Sequence, residues 1–258
     1  MTAVPRISVV TPSLNQGAFI EQALASVHEQ DYPNLEHIVI DGGSTDETLA
    51  VLRRFESRLA YVQSQRDDGQ TDALIQGFSR ATGDILAWLN ADDLLEPNTL
   101  ANVAKHFVSR ATDRFVFGDS SWIDRGGHLI KRKREMPFLR SVWLRTYDYI
   151  PQPSAFWRRS LYDEVGGLDP TFRLAMDADL FARMSERTRI NHVRQQWSSM
   201  REHPDQRNVR FRAESNAEDD RIRARYLKRT RGPLWAVERA GARAIRIACR
   251  AAVGAYFP

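Results

Sequence analysis

The 258-residue chain predicts an α/β fold: a mostly parallel sheet flanked by helices, carrying a helical C-terminal appendage. Two observations predict it. Short β-branched runs alternate with segments whose apolar residues recur at helical spacing, and strand–helix–strand alternation argues for a parallel sheet. Past the middle of the chain this gives way to two long helical patterns separated by Gly232-Pro233.

Arg6 to Val10 ends at Thr11-Pro12 and reads as a buried strand. Phe19, Ile20, Ala23, Leu24 and Val27 follow at helical spacing, with Glu21, Gln22 and Glu29 opposite, which predicts an amphipathic helix. Leu35 to Ile40 is a second strand, stopped by Asp41-Gly42-Gly43-Ser44. A helix is expected over Thr45–Phe55, capped by Ser44 or Thr45. A strand over Leu59–Val62, a helix over Gln70–Ala81 and a strand over Asp84–Leu89 complete the regular part, and Pro97 belongs in the first turn of the next helix. The second half predicts a strand over Arg114–Phe117 and a hairpin over Trp122–Ile130 turning at Gly126-Gly127. A strand over Pro153–Trp157 and a helix over Asp177–Arg187 follow, then helices over Phe211–Lys228 and Leu234–Val253. No clear linker interrupts the chain. Residues 1–204 are expected to form one domain with halves at 1–110 and 111–204, and residues 205–258 a basic appendage.

With 42% hydrophobic and 27% charged residues the chain can bury a core and stay soluble. Cys249 is the only cysteine, which excludes an intramolecular disulfide and a cysteine-built zinc site and fits a reducing compartment. The first residues lack the basic-then-apolar layout of a secretory leader. No stretch reaches the ~18 apolar residues of a spanning helix. The expectation is a cytoplasmic protein, soluble or peripheral on the inner face of the cell membrane.

The net charge of +4 is unevenly spread. From Arg221 onward ten basic residues, Arg229 among them, are opposed only by Glu238. Such a tail suggests a polyanion or an anionic membrane as neighbour. In Leu234–Phe257, Arg239, Arg243, Arg246 and Arg250 recur at spacings of three and four and are expected to share a face. A basic amphipathic helix of this kind can lie in a membrane interface. A solvated face on a packed helix and a dimer contact are the alternatives. Lys131-Arg132-Lys133-Arg134 is a second basic cluster. Nucleic acid is not expected as a partner, since no stacking platform is evident. Oligomeric state is not legible.

Open parallel sheets bind ligands outside the carboxyl ends of their strands. Here those ends carry Thr11-Pro12-Ser13, Asp41-Gly42-Gly43 and Asn90-Ala91-Asp92-Asp93, which should meet along one edge. Adjacent carboxylates at a strand end suit a hard divalent cation with positions left for phosphate oxygens; capping the helix after Pro97 is the alternative. Gly42 lets a ligand approach backbone closely, and Asp41 would accept from a base or ribose or else build an ordinary turn.

Together these segments resemble a known family. Thr11-Pro12-Ser13-Leu14-Asn15, the run Gln30 to Glu36, Asp41-Gly42-Gly43-Ser44-Thr45-Asp46, Gly83-Asp84-Ile85 and Leu89-Asn90-Ala91-Asp92-Asp93 are similar to inverting glycosyltransferases of family 2. Asp67-Asp68-Gly69-Gln70-Thr71-Asp72 is similar to a subgroup of it. The resemblance implies a GT-A fold, with a Rossmann-like nucleotide-sugar half in 1–110 and an acceptor half in 111–204. It implies a nucleotide-sugar donor, UDP-linked by family weight, bound by Thr11, Pro12, Ser13, Asn15, Asp41, Gly42, Asp72, Asn90, Ala91 and Asp92. It implies Mn²⁺ or Mg²⁺ at Asp92, with Asp93 beside it and His203 as a late ligand; a solvated loop histidine is the alternative. Asp72 is equally plausible as a helix N-terminal carboxylate.

For inversion a carboxylate takes the acceptor hydroxyl proton. Within Met176-Asp177-Ala178-Asp179-Leu180 the resemblance assigns that role to Asp177. Asp179 is the runner-up and an acceptor contact, with helix N-terminal charge as its alternative, and Arg183 is expected as an ion-pair partner and not a catalyst. Gln152, framed by Pro151 and Pro153, would touch donor sugar or acceptor, or only stiffen a turn. Two departures stand out: Asn90 where many members have Asp, and Ala73-Leu74-Ile75 where many have Ala-Arg-Asn. The reading is a metal-assisted glycosyltransferase acting on a glycan or lipid-linked saccharide. The alternative is a non-catalytic nucleotide-sugar-binding scaffold of the same fold.

Overall fold

The computed structural model describes residues 4–204, 206, 210–228 and 230–255. The expected boundary at residue 205, Arg229 of the basic tail and Phe257 lie outside the described residues.

Strands β1 (Ile7–Ser13), β2 (Leu35–Asp41), β3 (Tyr61–Ser64) and β4 (Ile85–Trp88) are joined through helices α1 (Ile20–His28), α2 (Thr48–Phe55) and α3 (Gln70–Arg80). They pair in parallel in the order β3-β2-β1-β4. β5 (Leu94–Leu95) and α4 (Thr99–Ser109) follow, then the hairpin β6 (Phe115–Ile123) and β7 (Leu129–Lys133) and helix α5 (Arg140–Arg145). Next come β8 (Ala155–Arg158), α6 (Arg159–Glu164), α7 (Met176–Arg187), β9 (Ile190–Arg201), α8 (Arg212–Tyr226) and α9 (Pro233–Ala252). One sheet runs β3-β2-β1-β4-β8-β6-β9-β5, with β7 on β6. β6 and β9 run parallel to the first four strands, and β5, β7 and β8 run against them. The mostly parallel α/β fold stands as expected.

Helices cover both faces. On one, Trp88, Trp157, Phe115 and Phe181 pack with Leu74 and Phe78 of α3. On the other, Ile7, Val9 and Val116 pack with Val27 of α1 and Leu100, Val103 and Phe107 of α4. Fully burying such side chains contributes roughly 1.5–3 kcal/mol each.

Several elements differ from expectation. α2 begins at Thr48, not Thr45. Asp46 fixes the chain before it: Thr48 N donates to its Oδ1 and Gly17 N to its Oδ2. Asn98 adopts a left-handed turn, so α4 starts two residues after Pro97. β6 extends to Ile123, well past Phe117. β9 was not expected. Its twelve residues are largely polar, and Arg194 and Gln195 bulge out between the pairs Gly118–Val193 and Asp119–Gln196, which breaks the period of two.

Candidate functional site

The carboxyl ends of β1, β2 and β4 meet as expected. Ser13 lies opposite Asp41, and Leu89 N donates to Val10 O. β6 and β9 bring their ends, Ile123 and Arg201, to the same edge.

The loops after β1 and β2 lock into one another. Asn15 N donates to Ser44 Oγ at 2.7 Å, Thr45 N donates to Asn15 Oδ1 at 2.9 Å, and Gly42 N donates to Ser13 O at 2.8 Å. Pro12 and Ser13 are buried beneath, with Ser13 Oγ unpartnered. Asp41 is wholly buried and accepts from Gly43 N, Ser44 N, Ser44 Oγ and Ser64 Oγ. Its carboxylate builds the loop. The Thr11 hydroxyl meets buried His37 Nε2 at 3.0 Å. Asp72 folds back on its own helix, accepting from Asp68 N and Gln76 Nε2, which fits the helix N-terminal alternative. What faces Gly42 is Asp67: a Cβ there would stand 2.9 Å from Asp67 Oδ2. Burial, with Asp72, Asp41 and Asp68 nearby, pushes the Asp67 carboxyl above its ordinary value. Asp67 lies in a quoted motif, but nothing in its local pattern set it apart from Asp68.

After β4 the chain turns through Asn90 to Asp93, closed by Asp93 N donating to Asn90 O. Asn90 is a junction. Its Oδ1 accepts from Gln70 Nε2 at 2.8 Å, and its Nδ2 reaches Gln152 Oε1 at 3.3 Å and Asp93 Oδ2 at 3.4 Å. An aspartate could not donate there and would add charge beside Asp93. Gln152 is buried and donates to Trp88 O at 2.8 Å. Ala91 is buried.

Arg201, which the sequence reading missed, underpins this turn. It is fully buried; its guanidinium donates to Asp92 O, Asp124 O, Arg125 O and Gln22 Oε1, and its backbone N donates to Asp93 Oδ1. Burial and the charge of Asp92 hold the Asp93 carboxyl well above its ordinary value. His203, two residues past β9, places Nε2 3.1 Å from Asp92 Oδ2 and packs on Phe19, ring centroids 4.7 Å apart. His203 Nδ1 is buried without a partner.

Among the described residues no three His, Cys, Asp or Glu side chains are gathered as a metal cage. The residues still fit a divalent ion of the kind that binds diphosphate, because such ions take one or two protein donors and leave the rest to phosphate and water. Asp92 and His203 could supply them. Asp93 lies beside them, its carboxylate accepting from Arg201 N and, at 3.4 Å, from Asn90 Nδ2.

Asp177 lies in the first turn of α7. Burial and the carboxylates of Asp219 and Glu218 raise its pKa to about 6, although Ala178 N donates to Oδ1 and opposes the rise. Glu218 accepts from the backbone N of Arg173, Leu174 and Ala175, pinning the turn before α7. Asp148 is a second group the sequence did not flag. Its Oδ1 accepts from Trp143 Nε1 and Ile150 N, its Oδ2 is buried and unpartnered, and burial beside Asp177 raises its pKa well above the ordinary value. Thr71 Oγ1 donates to Phe172 O at 2.7 Å, so the start of α3, which holds Asn90 through Gln70, also holds the loop leading to Asp177. Asp179 is wholly buried, with Oδ2 bound by Arg183 at 2.7 Å and Oδ1 by Arg225 at 2.8 Å.

The family model described as Glycosyl transferase family 2 matches residues 8–166. The chain is 34% identical over 185 residues to an uncharacterized glycosyltransferase of Mycobacterium tuberculosis, covering 71% of this chain and 70% of that one. Its fold is similar to a mannosyltransferase of Pyrobaculum calidifontis solved with GDP-Man and Mn²⁺, with a TM-score of 0.65 at 23% identity over 93% of this chain and 70% of that one. It is also similar to S. aureus TarS solved with UDP-GlcNAc, with a TM-score of 0.65 at 18% identity over 87% of this chain and 72% of that one.

Proposed function

Since the chain belongs to glycosyl transferase family 2 and is an enzyme of the glycosyltransferase type, we propose that it inverts the anomeric centre while moving one sugar from a nucleotide-sugar donor to a hydroxyl of a glycan or lipid-linked saccharide. In this reading residues 1–110 hold the donor, 111–204 receive the acceptor and 205–258 form the appendage. UDP is the favoured nucleotide; the solved relatives bind GDP-Man in one case and UDP-GlcNAc in the other.

The observation that carries the reading is the approach of Asp92 Oδ2 to His203 Nε2 at 3.1 Å, beside a turn fastened by Arg201. Asp92 and His203 would hold Mn²⁺ or Mg²⁺, which when bound stabilises the charge on the departing nucleoside diphosphate. Asp177 takes the acceptor proton; a carboxylate with a pKa near 6 is ionised at neutral pH yet basic enough to do so. Gln152 and Asn90 link the two sides through one hydrogen bond. Asp67 and the backbone around Gly42 border the nucleotide. No observation favours the non-catalytic scaffold, and the Asn90 departure is met by an amide that donates and accepts at once.

The test is calorimetric titration of UDP, GDP and dTDP with Mn²⁺ and with EDTA. Metal-dependent tightening for one nucleotide, lost in Asp92→Ala, is the expected result. Well-folded protein that binds none of them overturns the donor-site assignment.

A further inference from the structure

Helix α9 turns its apolar side outward. Its inner side meets α5 and Tyr147: Glu238 pairs with Arg145 at 3.1 Å, Arg246 lies 4.6 Å over the Tyr147 ring, and Arg246 and Arg250 both donate to Tyr147 Oη. The four arginines expected to share a face do so, within roughly 60° of arc, but only Arg239 and Arg243 of them are exposed. At 100° per residue, Leu234, Val237, Ile245 and Ile247 fall on one outward arc with Ala240, Ala244 and Ala248 between them. The four large side chains range from 50% exposed at Ile245 to 70% at Val237.

A second segment continues this surface. On β7, Leu129 and Ile130 are more than half exposed, and Lys131, Arg132 and Arg134 are exposed beside them. The two segments approach each other just beyond their ends: a Cβ on Gly254, two residues past α9, would stand 3.0 Å from the side-chain Nη1 of Arg134, the residue after β7. Over residues 129–134 and 233–252 the only acidic residue is Glu238, already held by Arg145.

We propose that the outward arc of α9 and the exposed face of β7 form one docking surface for an anionic lipid bilayer, with α9 lying in the interface. Exposed aliphatic side chains flanked by unopposed cations match a surface that is apolar inside and negative at its headgroups. A second copy of the chain matches it poorly, because self-association would set like charges against each other. Among the described residues no helix is long and apolar enough to cross a membrane, which agrees with α9 lying flat. The surface lies on the acceptor side. α9 packs on α5, and Trp143 of α5 donates to Asp148, beside Asp177.

The test is co-sedimentation of the full chain with vesicles of phosphatidylcholine alone and of phosphatidylcholine mixed with phosphatidylglycerol, at low and high salt. The chain is expected to bind only the mixed vesicles and to lose binding as salt screens the charges. Val237→Ser with Ile245→Ser, and Lys131→Glu with Arg132→Glu, are each expected to weaken binding on the order of tenfold or more while nucleotide affinity is retained. Three results would overturn the proposal: no binding of folded protein to mixed vesicles, unchanged binding by both variants, or a dimer that the serine variant dissolves without any vesicle binding. Because nucleotide affinity is read separately, failure here leaves the donor-site reading standing.

Discussion

Asp92 and His203 are 111 residues apart in sequence and face each other across 3.1 Å. The route between them is β9. It pairs with β6 along most of its length and with β5 just after Asp93, so the chain emerging from β9 can only arrive beside the Asn90–Asp93 turn. Arg201, the last residue of β9, clamps that turn by its side chain and by its backbone.

Removing either member of this pair should disconnect nucleotide from metal. Asp92→Ala and His203→Ala are each expected to reduce nucleotide affinity by about 10- to 100-fold in Mn²⁺ and to leave the weak affinity in EDTA unchanged. Parallel titrations check it. Equal losses with and without metal would mean that the pair contacts the nucleotide directly.

Asp177→Asn keeps the shape of the side chain and removes the base. Turnover should fall on the order of 10²–10⁴-fold while donor affinity holds. In the wild type the base must be ionised, and burial beside Asp219 and Glu218 raises its pKa to about 6. The acidic limb of kcat/KM should therefore drop about tenfold per pH unit below that value. A limb near pH 4, where an unperturbed carboxylate titrates, would remove Asp177 from the role.

Acid should destabilise the sheet around β1 and β2 through a buried chain of groups. His37 Nδ1 meets His28 Nε2 at 3.2 Å, and His37 Nε2 meets Thr11 Oγ1. Burial holds His37 down to about 3 and His28 down to about 4, the latter with help from Arg58. Between these values and about 6.5 the unfolded chain binds more protons than the folded one. The contribution of these two histidines is therefore full above about pH 6.5 and is lost as pH falls toward 4 and then 3. For the wholly buried His37 the slope approaches about 1.4 kcal/mol per pH unit. Urea unfolding across this range measures it, and His37→Gln should flatten the dependence.

Asp179 should matter for stability and not for chemistry. Asp179→Ala leaves Arg183 and Arg225 without their shared carboxylate. Losing one partner of a buried pair costs roughly 3–5 kcal/mol. The lower figure applies here, because the Arg225 side chain is 41% exposed and can reach water. Denaturant melts should show this loss, while turnover per folded molecule stays near wild type. A normal melt with lost turnover would restore Asp179 to the acceptor site.

The carboxylate motifs and the parallel strands β1 to β4 were legible because they are local. A buried parallel strand is a β-branched run, its stop is a turn sequence, and both lie within a few residues of Thr11, Asp41 and Asn90. Asp177 was legible for the same reason, at the start of a helix with a clear apolar period. What those residues touch was not legible. Asp41 and Thr11 sit in motif positions, yet their hydrogen bonds are spent within the protein on Ser44, Ser64 and His37.

By itself, then, the sequence determined the α/β class, the edge on which the strand ends meet and the carboxylates that stand there, since each depends on periodicity and turn chemistry over short spans. Tertiary structure alone decided that β9 forms at all, that Arg201 rather than Asp93's neighbours holds the turn, that Asp148 lies beside Asp177, and that α9 presents its aliphatic side outward. Each of these rests on pairing between segments distant in the chain, where bulges and partners, not local propensity, choose which face is buried.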